Sequence, residues 1–304
     1  MDSFPRISRV QVSAFSVPTD KPESDGTLEW GATVLVLVEI TAGNKTGIGF
    51  SYADSATARL IHDKLASVIV GANALSIGGC WNAMVAAIRN LGRPGICSMA
   101  IAAVDNALWD LKARILGLPL VLLLGQVRDG IPVYGSGGFT SYSITELQKQ
   151  LGDWEARGIR SVKMKVGREP DSDVTRVASA REAISQNTEL FVDANGAYSR
   201  KQALAMAFSF ADLGVSWFEE PVSSDDLEGL RLIRDKGPPG MEISAGEYGY
   251  DSNYFRRMIQ AGAVDVLQAD ATRCAGVTGF MQAAALCQAF NLPLSAHCAP
   301  SIHV

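Results

Sequence analysis

From residue 131 onward, short apolar runs alternate with longer amphipathic runs. The apolar runs predict seven strands, over residues 132–135, 161–166, 190–193, 215–219, 242–245, 265–268 and 292–296. The runs between them, for example residues 143–157 and 276–290, have the apolar spacing of helices. Because a parallel strand needs a crossover connection, this alternation predicts βαβ units and a parallel sheet. The sequence therefore favours an α/β fold of the (β/α) barrel type.

The first part of the chain has a different organisation. Strand-like runs cover residues 10–17, 32–40 and 47–50, and helical runs then cover residues 56–70, 79–90 and 98–116. Between the first two strands lies a polar segment, residues 18–30, which is long for a hairpin connection. Loops of that length are usually functional or disordered. We predict two domains, an α+β domain over residues 1–130 and a (β/α) barrel over residues 131–304.

Two lysines interrupt the strand that is predicted over residues 161–166. Lys163 and Lys165 stand one residue apart in an otherwise apolar run. Desolvating an ammonium group is costly unless the group is paired or used. Residues i and i+2 of a strand point to the same face. Both lysines are therefore expected to serve one site.

Charged side chains recur where successive predicted strands end. Three strands end in the carboxylates Asp193, Glu219 and Glu247, and two more end in Asp270 and His297. The carboxyl ends of parallel barrel strands meet at one mouth, where barrel enzymes carry their active sites. We therefore expect these side chains to form one site at the barrel mouth.

Six short motifs follow one another at these strand ends. They are Lys-Met-Lys (163–165), Val-Asp-Ala-Asn (192–195), Trp-Phe-Glu-Glu-Pro (217–221), Ala-Gly-Glu (245–247), Gln-Ala-Asp (268–270) and Ser-Ala-His (295–297). In this order they resemble the enolase superfamily and, within it, the mandelate racemase branch of the mandelate racemase/muconate lactonizing enzyme family. The resemblance covers nearly the whole chain. It implies an α+β capping domain followed by a modified TIM-type (β/α)7β barrel.

A magnesium site agrees with both the residues and the resemblance. Asp193, Glu219 and Glu247 come from adjacent strands and offer the hard oxygen ligands that Mg²⁺ prefers. One of them alone would be better explained as a surface carboxylate at the start of a loop. All three at matching strand ends favour the metal. Glu219 and Glu220 are adjacent, and the resemblance assigns the metal to Glu219 and a supporting contact to Glu220.

The resemblance also implies roles for the remaining charged residues. Lys163 would contact the substrate carboxylate, and Lys165 would be the acid/base on one face of the substrate. Positive charge from the metal and from Lys163 would lower the pKa of Lys165. Asp270 and His297 would form a dyad on the opposite face, in which Asp270 orients the imidazole and raises its basicity. Taken singly, His297 would be interpreted as a core histidine.

Other polar residues keep two interpretations. Asn195 contacts the substrate or metal water, or it forms the turn that the Asn-Gly pair favours. Arg273 orders the dyad, or it caps a helix end. His62 and His303 have no predicted role. The glycine-rich run over residues 135–138 matches neither phosphate-binding glycine pattern and is interpreted as a strand end.

The second acid/base residue separates branches of the family. Muconate cycloisomerases and dipeptide epimerases place a lysine at the end of the sixth strand, whereas this chain has no lysine after Lys236. The mandelate racemase branch has an Asp–His pair instead, and it includes racemases of α-hydroxy acids and dehydratases of acid sugars. Both begin by removing the proton α to a carboxylate, which gives an enediolate.

We predict an Mg²⁺-dependent acid-sugar dehydratase, a lyase that acts on a small carboxylate. In this family the polar segment over residues 18–30 would fold over the barrel mouth. Its side chains would hydrogen-bond a polyol there, the candidates being Thr19, Asp20, Lys21, Glu23 and Ser24. Two alternatives remain open: a racemase or epimerase of an α-hydroxy acid, and a catalytically silent member that binds an acid.

Composition argues against several other classes of protein. The formal net charge is −5 and there is no run of lysine and arginine, which argues against a nucleic-acid partner. The apolar runs are short, which argues against a membrane protein, and residues 1–6 lack a signal-peptide pattern. We therefore expect a cytoplasmic protein, whose five cysteines form no CxxC pair and are reduced thiols. The resemblance adds the expectation of a homo-oligomer.

The predicted barrel has seven strands, whereas a full barrel has eight. The family supplies an eighth strand and a C-terminal segment that returns to the capping domain. Seven strands would leave two unpaired sheet edges. We therefore expect residues beyond Val304, or a partner chain, to fill the gap.

Overall fold

The structure, a computed structural model, describes residues 4–304 and contains two sheets. Residues 1–3, which belong to the predicted first domain and to the segment over residues 1–6 that lacks a signal-peptide pattern, lie outside the described residues. The first sheet is antiparallel and consists of β1 (Ile7–Ser24), β2 (Glu29–Ala42) and β3 (Lys45–Tyr52) in that order. It is followed by α1 (Ser55–Leu60), a π-helical turn (Ile61–Leu65), α2 (Ala66–Ile69), α3 (Ile77–Ala87), α4 (Ile96–Leu116) and α5 (Leu120–Leu123).

The antiparallel sheet packs against α4. In β2 the buried residues Val36, Val38 and Ile40 alternate with partly exposed ones, as in a strand with one covered face. β3 approaches α4 so closely that a Cβ atom on Gly49 would lie 2.3 Å from the carbonyl oxygen of Ala103. Glycine at this position therefore lets the backbones of strand and helix come into contact.

The polar segment over residues 18–30 is mostly strand, and the expectation of a long loop was wrong. β1 pairs with β2 as far as Ser24, which lies opposite Glu29. Only residues 25–28 form the turn. In this region of β1 exposed side chains alternate with partly buried ones, and the partly buried ones are the polar residues Thr19, Lys21 and Glu23. A strand whose covered face carries polar side chains lacks the apolar alternation by which strands are identified in a sequence.

The second sheet is parallel, with the strand order β10-β9-β8-β7-β6-β5-β4. Its strands are β4 (Gly135–Gly137), β5 (Ser161–Lys165), β6 (Glu189–Asp193), β7 (Val215–Glu219), β8 (Glu242–Ala245), β9 (Val266–Ala269) and β10 (Leu294–Ala296). The helices are α6 (Ile144–Ala156), α7 (Pro170–Glu182), α8 (Arg200–Ala211), α9 (Leu227–Lys236), α10 (Ser252–Gln260), α11 (Gly276–Ala289) and α12 (Pro300–His303). The predicted strand–helix alternation is confirmed, and each strand overlaps its predicted range.

The edge strands of the parallel sheet, within the described chain, are β4 and β10. The capping-domain-plus-barrel architecture is confirmed in its main features. The eighth strand beyond Val304 and the domain boundary after residue 130 stay predictions. No helix among residues 4–304 is long and apolar enough to cross a membrane.

Local sequence explains where several barrel helices begin. Ser143 accepts a hydrogen bond from the amide of Glu146, whose side chain accepts one from the amide of Ser143. Ser199 and Gln202 form the same reciprocal capping box at α8. Each box satisfies two amides that have no partner within the helix.

Apolar burial divides between two large clusters and one small one. The first large cluster joins the parallel strands to their helices, and the second lies between the antiparallel sheet and α4. The small cluster fills the interior of the barrel with Phe191, Trp217, Val266 and the partly buried Tyr134. Phe191 and Trp217 stack with their ring centroids 5.3 Å apart. Phe191 lies opposite Lys163 of β5 and Trp217 of β7, two residues before Asp193 and Glu219 on their strands.

The register of the parallel strands places three charged residues side by side. Lys165 of β5 lies opposite Asp193 of β6, and Asp193 lies opposite Glu219 of β7. Opposite residues of neighbouring strands project to the same face of a sheet. The three side chains therefore meet at the carboxyl edge of the sheet.

Candidate active site

Both lysines of β5 form ion pairs with carboxylates of the neighbouring strands. Lys165 Nζ lies 2.5 Å from Oδ2 of Asp193. Lys163 Nζ lies 2.5 Å from Oε1 of Glu219 and 3.4 Å from the same Oδ2 atom of Asp193. All four residues are buried. The lysines and carboxylates thus form a single charged cluster that is shielded from water.

The charge state of the lysines depends on these carboxylates. Burial by itself disfavours an ammonium group. The negative charges of Glu219 and Asp193 outweigh burial and raise the pKa of Lys163 well above its ordinary value. The pKa of Lys165 rises to about 12, because Asp193 outweighs burial and the repulsion from Lys163. The lowered pKa expected for Lys165 depended on the charge of a metal, and with the protein groups alone the shift is in the opposite direction.

The carboxylates of Asp193, Glu219 and Glu247 form a buried triad, the term used for them below. One oxygen of each lies within 4.8 Å of an oxygen of the others. Burial, and then repulsion from Asp193, raises the pKa of Glu219 to about 7. Lys165 and Lys163 outweigh burial at Asp193 and lower its pKa. Three carboxylates this close are poorly neutralised by the protein itself.

The triad fits a divalent cation. Its three oxygen donors come from the ends of three adjacent strands and are buried, and oxygen donors are those that Mg²⁺ prefers. Glu247 lies two residues beyond β8 and reaches the triad through Gly246, which has φ of +136°. A Cβ atom on Gly246 would lie 2.1 Å from the carbonyl oxygen of Gln268. Only glycine fits this turn, and the turn brings the third carboxylate into place.

Two further residues hold Glu219 in position. Its Oε2 atom accepts hydrogen bonds from Trp217 Nε1 at 3.2 Å and from Gln268 Nε2 at 2.9 Å. Neither donor is among the predicted site residues. Gln268 had a sequence signal, since it is a polar residue inside an apolar strand and lies two residues before Asp270. Both donors orient a carboxylate that the register already brings to the site.

His297 lies between Asp270 and the triad. Its Nδ1 atom is 2.9 Å from Asp270 Oδ2, and its Nε2 atom is 3.1 Å from Glu247 Oε2. Asp270 Oδ1 accepts hydrogen bonds from the amide and the hydroxyl of Thr272, at 2.6 Å and 2.7 Å. Burial disfavours an imidazolium, but Glu247 and the other acidic neighbours outweigh it and raise the pKa of His297 well above its ordinary value. The predicted dyad is present as a geometric pair.

Arg273 lies between Glu247 and Asp270. Its Nη1 atom donates to the carbonyl oxygen of Glu247 at 3.2 Å and to Oε1 at 3.4 Å. Its Nε atom is 3.9 Å from Asp270 Oδ2, and the guanidinium lies over the ring of Tyr248 at 5.2 Å. Arg273 thus contacts the triad by hydrogen bonds and the dyad by a longer ion pair, and its role in ordering the dyad stays a prediction.

Asn195 and Glu220 follow the triad carboxylates in left-handed backbone conformations, with φ of 46° and 40°. The amide of Asn195 donates to Asp193 Oδ1 at 2.9 Å, which fits a turn. Asn195 Oδ1 and Glu220 Oε1 are buried and make no hydrogen bond within residues 4–304. Burial, followed by repulsion from Glu247, raises the pKa of Glu220 well above its ordinary value. Both side chains therefore offer unused oxygen atoms next to the triad.

The turn between β1 and β2 reaches the barrel mouth at Gly26. A Cβ atom on Gly26 would lie 2.4 Å from the carbonyl oxygen of Ala194 and 2.7 Å from that of Val166. These two residues directly follow Asp193 and Lys165. The tip of the turn therefore rests on the backbone that carries the lysine side of the site.

The polar residues expected to contact a polyol lie on β1, before this turn. Lys21 forms an ion pair with Glu146 of α6. Ser24 Oγ lies 2.6 Å from the hydroxyl of Thr140, a residue that follows β4. These side chains thus have partners outside the triad. Asp25, the first residue of the turn, accepts hydrogen bonds from the amides of Thr27 and Leu28 at 2.6 Å and 2.7 Å.

The two histidines without a predicted role differ in their surroundings. His62 is exposed and pairs with the neighbouring Asp63 at 2.7 Å. His303 Nε2 accepts a hydrogen bond from the amide of Ala271 at 3.0 Å. Sequence reasoning missed this second contact, because the two residues are 32 positions apart and no local pattern links them.

Family models match both parts of the chain. The family described as mandelate racemase / muconate lactonizing enzyme, N-terminal domain, matches residues 10–125. The family described as enolase C-terminal domain-like matches residues 146–304. Together these matches span most of the sequence.

Individual proteins resemble the chain over nearly its whole length. The 3,6-anhydro-alpha-L-galactonate cycloisomerase of Streptomyces coelicolor is 33% identical over 96% of this chain and 82% of its own. The L-talarate/galactarate dehydratase of Salmonella typhimurium is 30% identical over 98% of this chain and 78% of its own.

Solved structures agree with this similarity. A mandelate racemase/muconate lactonizing enzyme-like protein from Rubrobacter xylanophilus superposes with a TM-score of 0.96 and 56% identity, covering 98% of this chain and 83% of its own. A mutant of the L-talarate/galactarate dehydratase, liganded with Mg and L-glucarate, superposes with a TM-score of 0.91 and 28% identity, covering 99% and 79%.

Proposed function

Because the chain belongs to the mandelate racemase/muconate lactonizing enzyme family of the enolase superfamily, we propose that it dehydrates an acid sugar. The reaction removes the proton α to the substrate carboxylate and expels the β-hydroxyl as water, giving a 2-keto-3-deoxy acid. The named relatives support this substrate class, since both act on sugar acids by name.

One observation carries the proposal: a potential acid/base group contacts each end of the triad. Lys165 pairs with Asp193 of β6, and His297 contacts Glu247 beyond β8, with Glu219 of β7 between them. A small carboxylate bound at the triad would therefore have an amine on one side and an imidazole on the other. That arrangement suits a reaction that takes a proton from one face and gives one at another position.

We propose Asp193, Glu219 and Glu247 as the ligands of an Mg²⁺ ion, with Glu220 as a supporting carboxylate. When bound, Mg²⁺ would stabilise the negative charge that develops on the substrate carboxylate as the α-proton leaves. Trp217 and Gln268 keep Glu219 oriented for this role through their hydrogen bonds. Asn195, whose Oδ1 atom has no partner among the described residues, is proposed to contact the substrate.

The two lysines of β5 are proposed to have different roles on one side of the substrate. Lys163, whose ammonium charge is favoured by Glu219, binds and neutralises the substrate carboxylate. Lys165 Nζ takes the α-proton in its neutral form and holds it as an ammonium next to Asp193. Burial of both side chains excludes water, which strengthens these charge interactions.

His297 acts on the other side. Its Nδ1–H group donates to Asp270 Oδ2, which leaves Nε2 directed at Glu247 and the substrate position. We assign to Nε2 the proton that the leaving β-hydroxyl takes up. Asp270 fixes the orientation of the imidazole, and Thr272 and Arg273 fix Asp270 in turn.

An isomerase is the second candidate function. The same two acid/base groups would return a proton to the opposite face of the enediolate in a racemase or epimerase. One of the named relatives is a cycloisomerase. Dehydration and isomerisation share the first step, removal of the α-proton. They differ in the substrate and in whether its β-hydroxyl leaves.

A substrate screen tests the proposal. The protein is incubated with Mg²⁺ and a panel of C5 and C6 sugar acids and diacids, and the 2-keto acid product is detected with semicarbazide. We expect keto acid from at least one substrate, and no product in EDTA or with Lys165→Ala. Inverted configuration at the α-carbon without keto acid would assign an isomerase. No reaction in either assay, with metal binding shown separately, would leave an acid-binding protein without activity.

We further propose that the protein acts as a homo-oligomer in the cytoplasm on a small-molecule partner and not on nucleic acid. The family resemblance and the net charge of −5 support these statements. Light scattering of the purified protein tests the oligomer, for which the mass of a single chain would be the contrary result.

A further inference from the structure

The connection between β9 and α11 carries two residues of the candidate site. It begins with Asp270 directly after β9, contains Arg273, and ends at Ala275 before α11. Ala275 has a left-handed conformation with φ of 68°, and no side chain of the connection caps the helix. The first amides of α11 therefore need acceptors from elsewhere.

Helix α4 supplies those acceptors; it belongs to the elements β1 to α5, which are called the capping region below. Asp105 Oδ2 accepts from the amide of Thr278 at 2.9 Å, and Oδ1 accepts from its hydroxyl at 2.8 Å. Asn106 Oδ1 accepts from the amide of Val277 at 3.0 Å. A Cβ atom on Gly276 would lie 2.3 Å from Asp105 Oδ2, so that only glycine permits this approach. Two adjacent residues of one helix thus cap another helix, more than 170 positions away.

The capping region also holds three carbonyl groups of the connection itself. Asn106 Nδ2 donates to the carbonyl oxygen of Ala271 at 3.1 Å. Ser51 Oγ of β3 donates to that of Thr272 at 2.7 Å. Trp81 Nε1 of α3 donates to that of Ala275 at 2.9 Å. These carbonyls stand on both sides of Arg273, and the three donor residues are buried.

These contacts form a continuous chain of hydrogen bonds that leads to the dyad. Asn106 and Ser51 hold Ala271 and Thr272, and Thr272 donates twice to Asp270. Asp270 then holds the imidazole of His297. Within residues 4–304, no hydrogen bond joins Asp105 or Asn106 to β5, the strand that carries both lysines. The contacts of this pair therefore concern the histidine side of the site.

We infer that Asp105 and Asn106 are positioning residues for the Asp270–His297 dyad, acting through the β9–α11 connection. Asp105 and Asn106 then govern proton transfer on the histidine side of the substrate, whereas the two lysines are held by the carboxylates of Asp193 and Glu219. This inference rests on the proposed function for its catalytic part. Its structural part, the clamp on residues 271–278, stands on the hydrogen bonds alone.

Three variants separate the two sides. Asn106→Leu removes the oxygen that accepts from the Val277 amide and the nitrogen that donates to the Ala271 carbonyl. The amide and the carbonyl are then buried without these partners. Ser51→Ala removes one hydrogen bond to the same connection and is the milder variant, in case Asn106→Leu does not fold. Ser98→Ala is the matched control, because Ser98 lies on α4 and donates to the carbonyl oxygen of Tyr250 in a different loop.

The first readout is deuterium exchange at the α-carbon of each substrate epimer in D₂O with Mg²⁺. We expect Asn106→Leu to slow exchange on the histidine face about 10–100-fold and to leave the lysine face near the wild-type rate. Ser51→Ala should lower the ratio of the histidine-face rate to the lysine-face rate in the same direction, but to a smaller extent. Ser98→Ala should leave the ratio unchanged. A ratio of the two rates in Asn106→Leu that equals the wild-type ratio, whether both rates are normal or both are reduced by the same factor, would overturn the inference.

The second readout is amide hydrogen exchange over residues 271–278, which requires no substrate. We expect faster exchange there in Asn106→Leu and Ser51→Ala, with residues 161–167 unchanged. Unaltered protection of residues 271–278 in both variants would refute the clamp. A wild-type protein that exchanges neither epimer would refute the proposed function and the catalytic part of this inference, and amide exchange would still decide the structural part.

Discussion

Lys165 Nζ lies 2.5 Å from Asp193 Oδ2, and both side chains are buried between neighbouring strands. The amine that we propose as a base is therefore held by a carboxylate that we propose as a metal ligand. Asp193 favours the charged lysine, which raises the pKa of Lys165 to about 12. A cation at the triad would bind the same carboxylate, and its positive charge would lower the pKa of Lys165 and favour the neutral amine. Metal binding and the basicity of Lys165 are thus expected to be coupled.

The triad predicts a stabilising effect of Mg²⁺. Saturating Mg²⁺ should raise the melting temperature of the wild-type protein, because a ligand that binds only the folded state stabilises it by about 2.7 kcal/mol at 100 times its Kd. Asp193→Asn should abolish most of this increase, since it removes one charged ligand. Glu228→Gln, at a side chain that is 89% exposed, is the control. An unchanged Mg²⁺-dependent shift in Asp193→Asn, measured by calorimetry, would exclude Asp193 as a ligand.

The two sides of the site predict complementary losses of exchange. Lys165→Ala should stop deuterium exchange at the α-carbon of one substrate epimer, and His297→Asn should stop that of the other, because each residue serves one face. Proton NMR in D₂O measures both rates. His62→Asn, at the exposed histidine, should have no effect. Wild-type rates for both epimers in both site variants would show that neither residue is an acid/base.

Asp105 predicts a pH dependence of stability. Burial raises its pKa from 3.8 to about 7, against two hydrogen bonds from Thr278. The folded state thus favours the protonated carboxyl of Asp105. The stability that this preference contributes is complete below a pH of about 3.8 and is lost as the pH rises through about 7. The difference between the two pKa values corresponds to about 4 kcal/mol in the free energy of unfolding.

Urea unfolding of Asp105→Asn and wild type between pH 5 and 8 measures this contribution. The free energy of unfolding should fall more steeply with rising pH in the wild type than in Asp105→Asn. Asp110→Asn, on the same helix and half-buried, should keep the wild-type slope. Parallel curves for wild type and Asp105→Asn would mean that Asp105 does not titrate in this range.

Gly26 predicts a steric effect on substrate binding. Gly26→Ala would place a methyl group against two backbone carbonyl oxygens that cannot move without displacing β5 and β6. Overpacking of this kind costs about 1–3 kcal/mol, and lifting the turn should raise KM roughly tenfold with a smaller change in kcat. Gly31→Ala, where a Cβ atom meets nothing within 4 Å, is the control. Equal KM values for the two variants would show that the turn does not contribute to binding.

Much of the site is encoded locally in the sequence. A charged residue at the end of a parallel strand lies at the carboxyl edge of the sheet whatever the details of packing, because strand direction and side-chain alternation are local properties. Lys163, Lys165 and Asp193 could therefore be placed together from their positions alone. The strand order of the site residues is also predictable from the sequence, since successive parallel strands are usually neighbours.

The tertiary structure decided what contacts each of these residues. Lys163 pairs mainly with Glu219, two strands away, because the curvature of the sheet brings their side chains within 2.5 Å. The extension of β1 over residues 18–24 also depends on pairing with β2 and not on an apolar pattern. Such contacts are set by distances between elements, which a single sequence does not contain.

The capping of α11 shows most clearly what cannot be predicted from the sequence. Sequence reasoning found the helix but not its caps, because Asp105 and Asn106 lie on another helix, in a run of Ala and Leu that is typical of a core. Local patterns reveal a cap only when it lies next to the helix it serves. The sequence by itself therefore determined the charges at the barrel mouth and the order of the strands that carry them. Only the tertiary structure decided which buried groups hold them, since hydrogen bonds between distant segments form only after the two layers have packed.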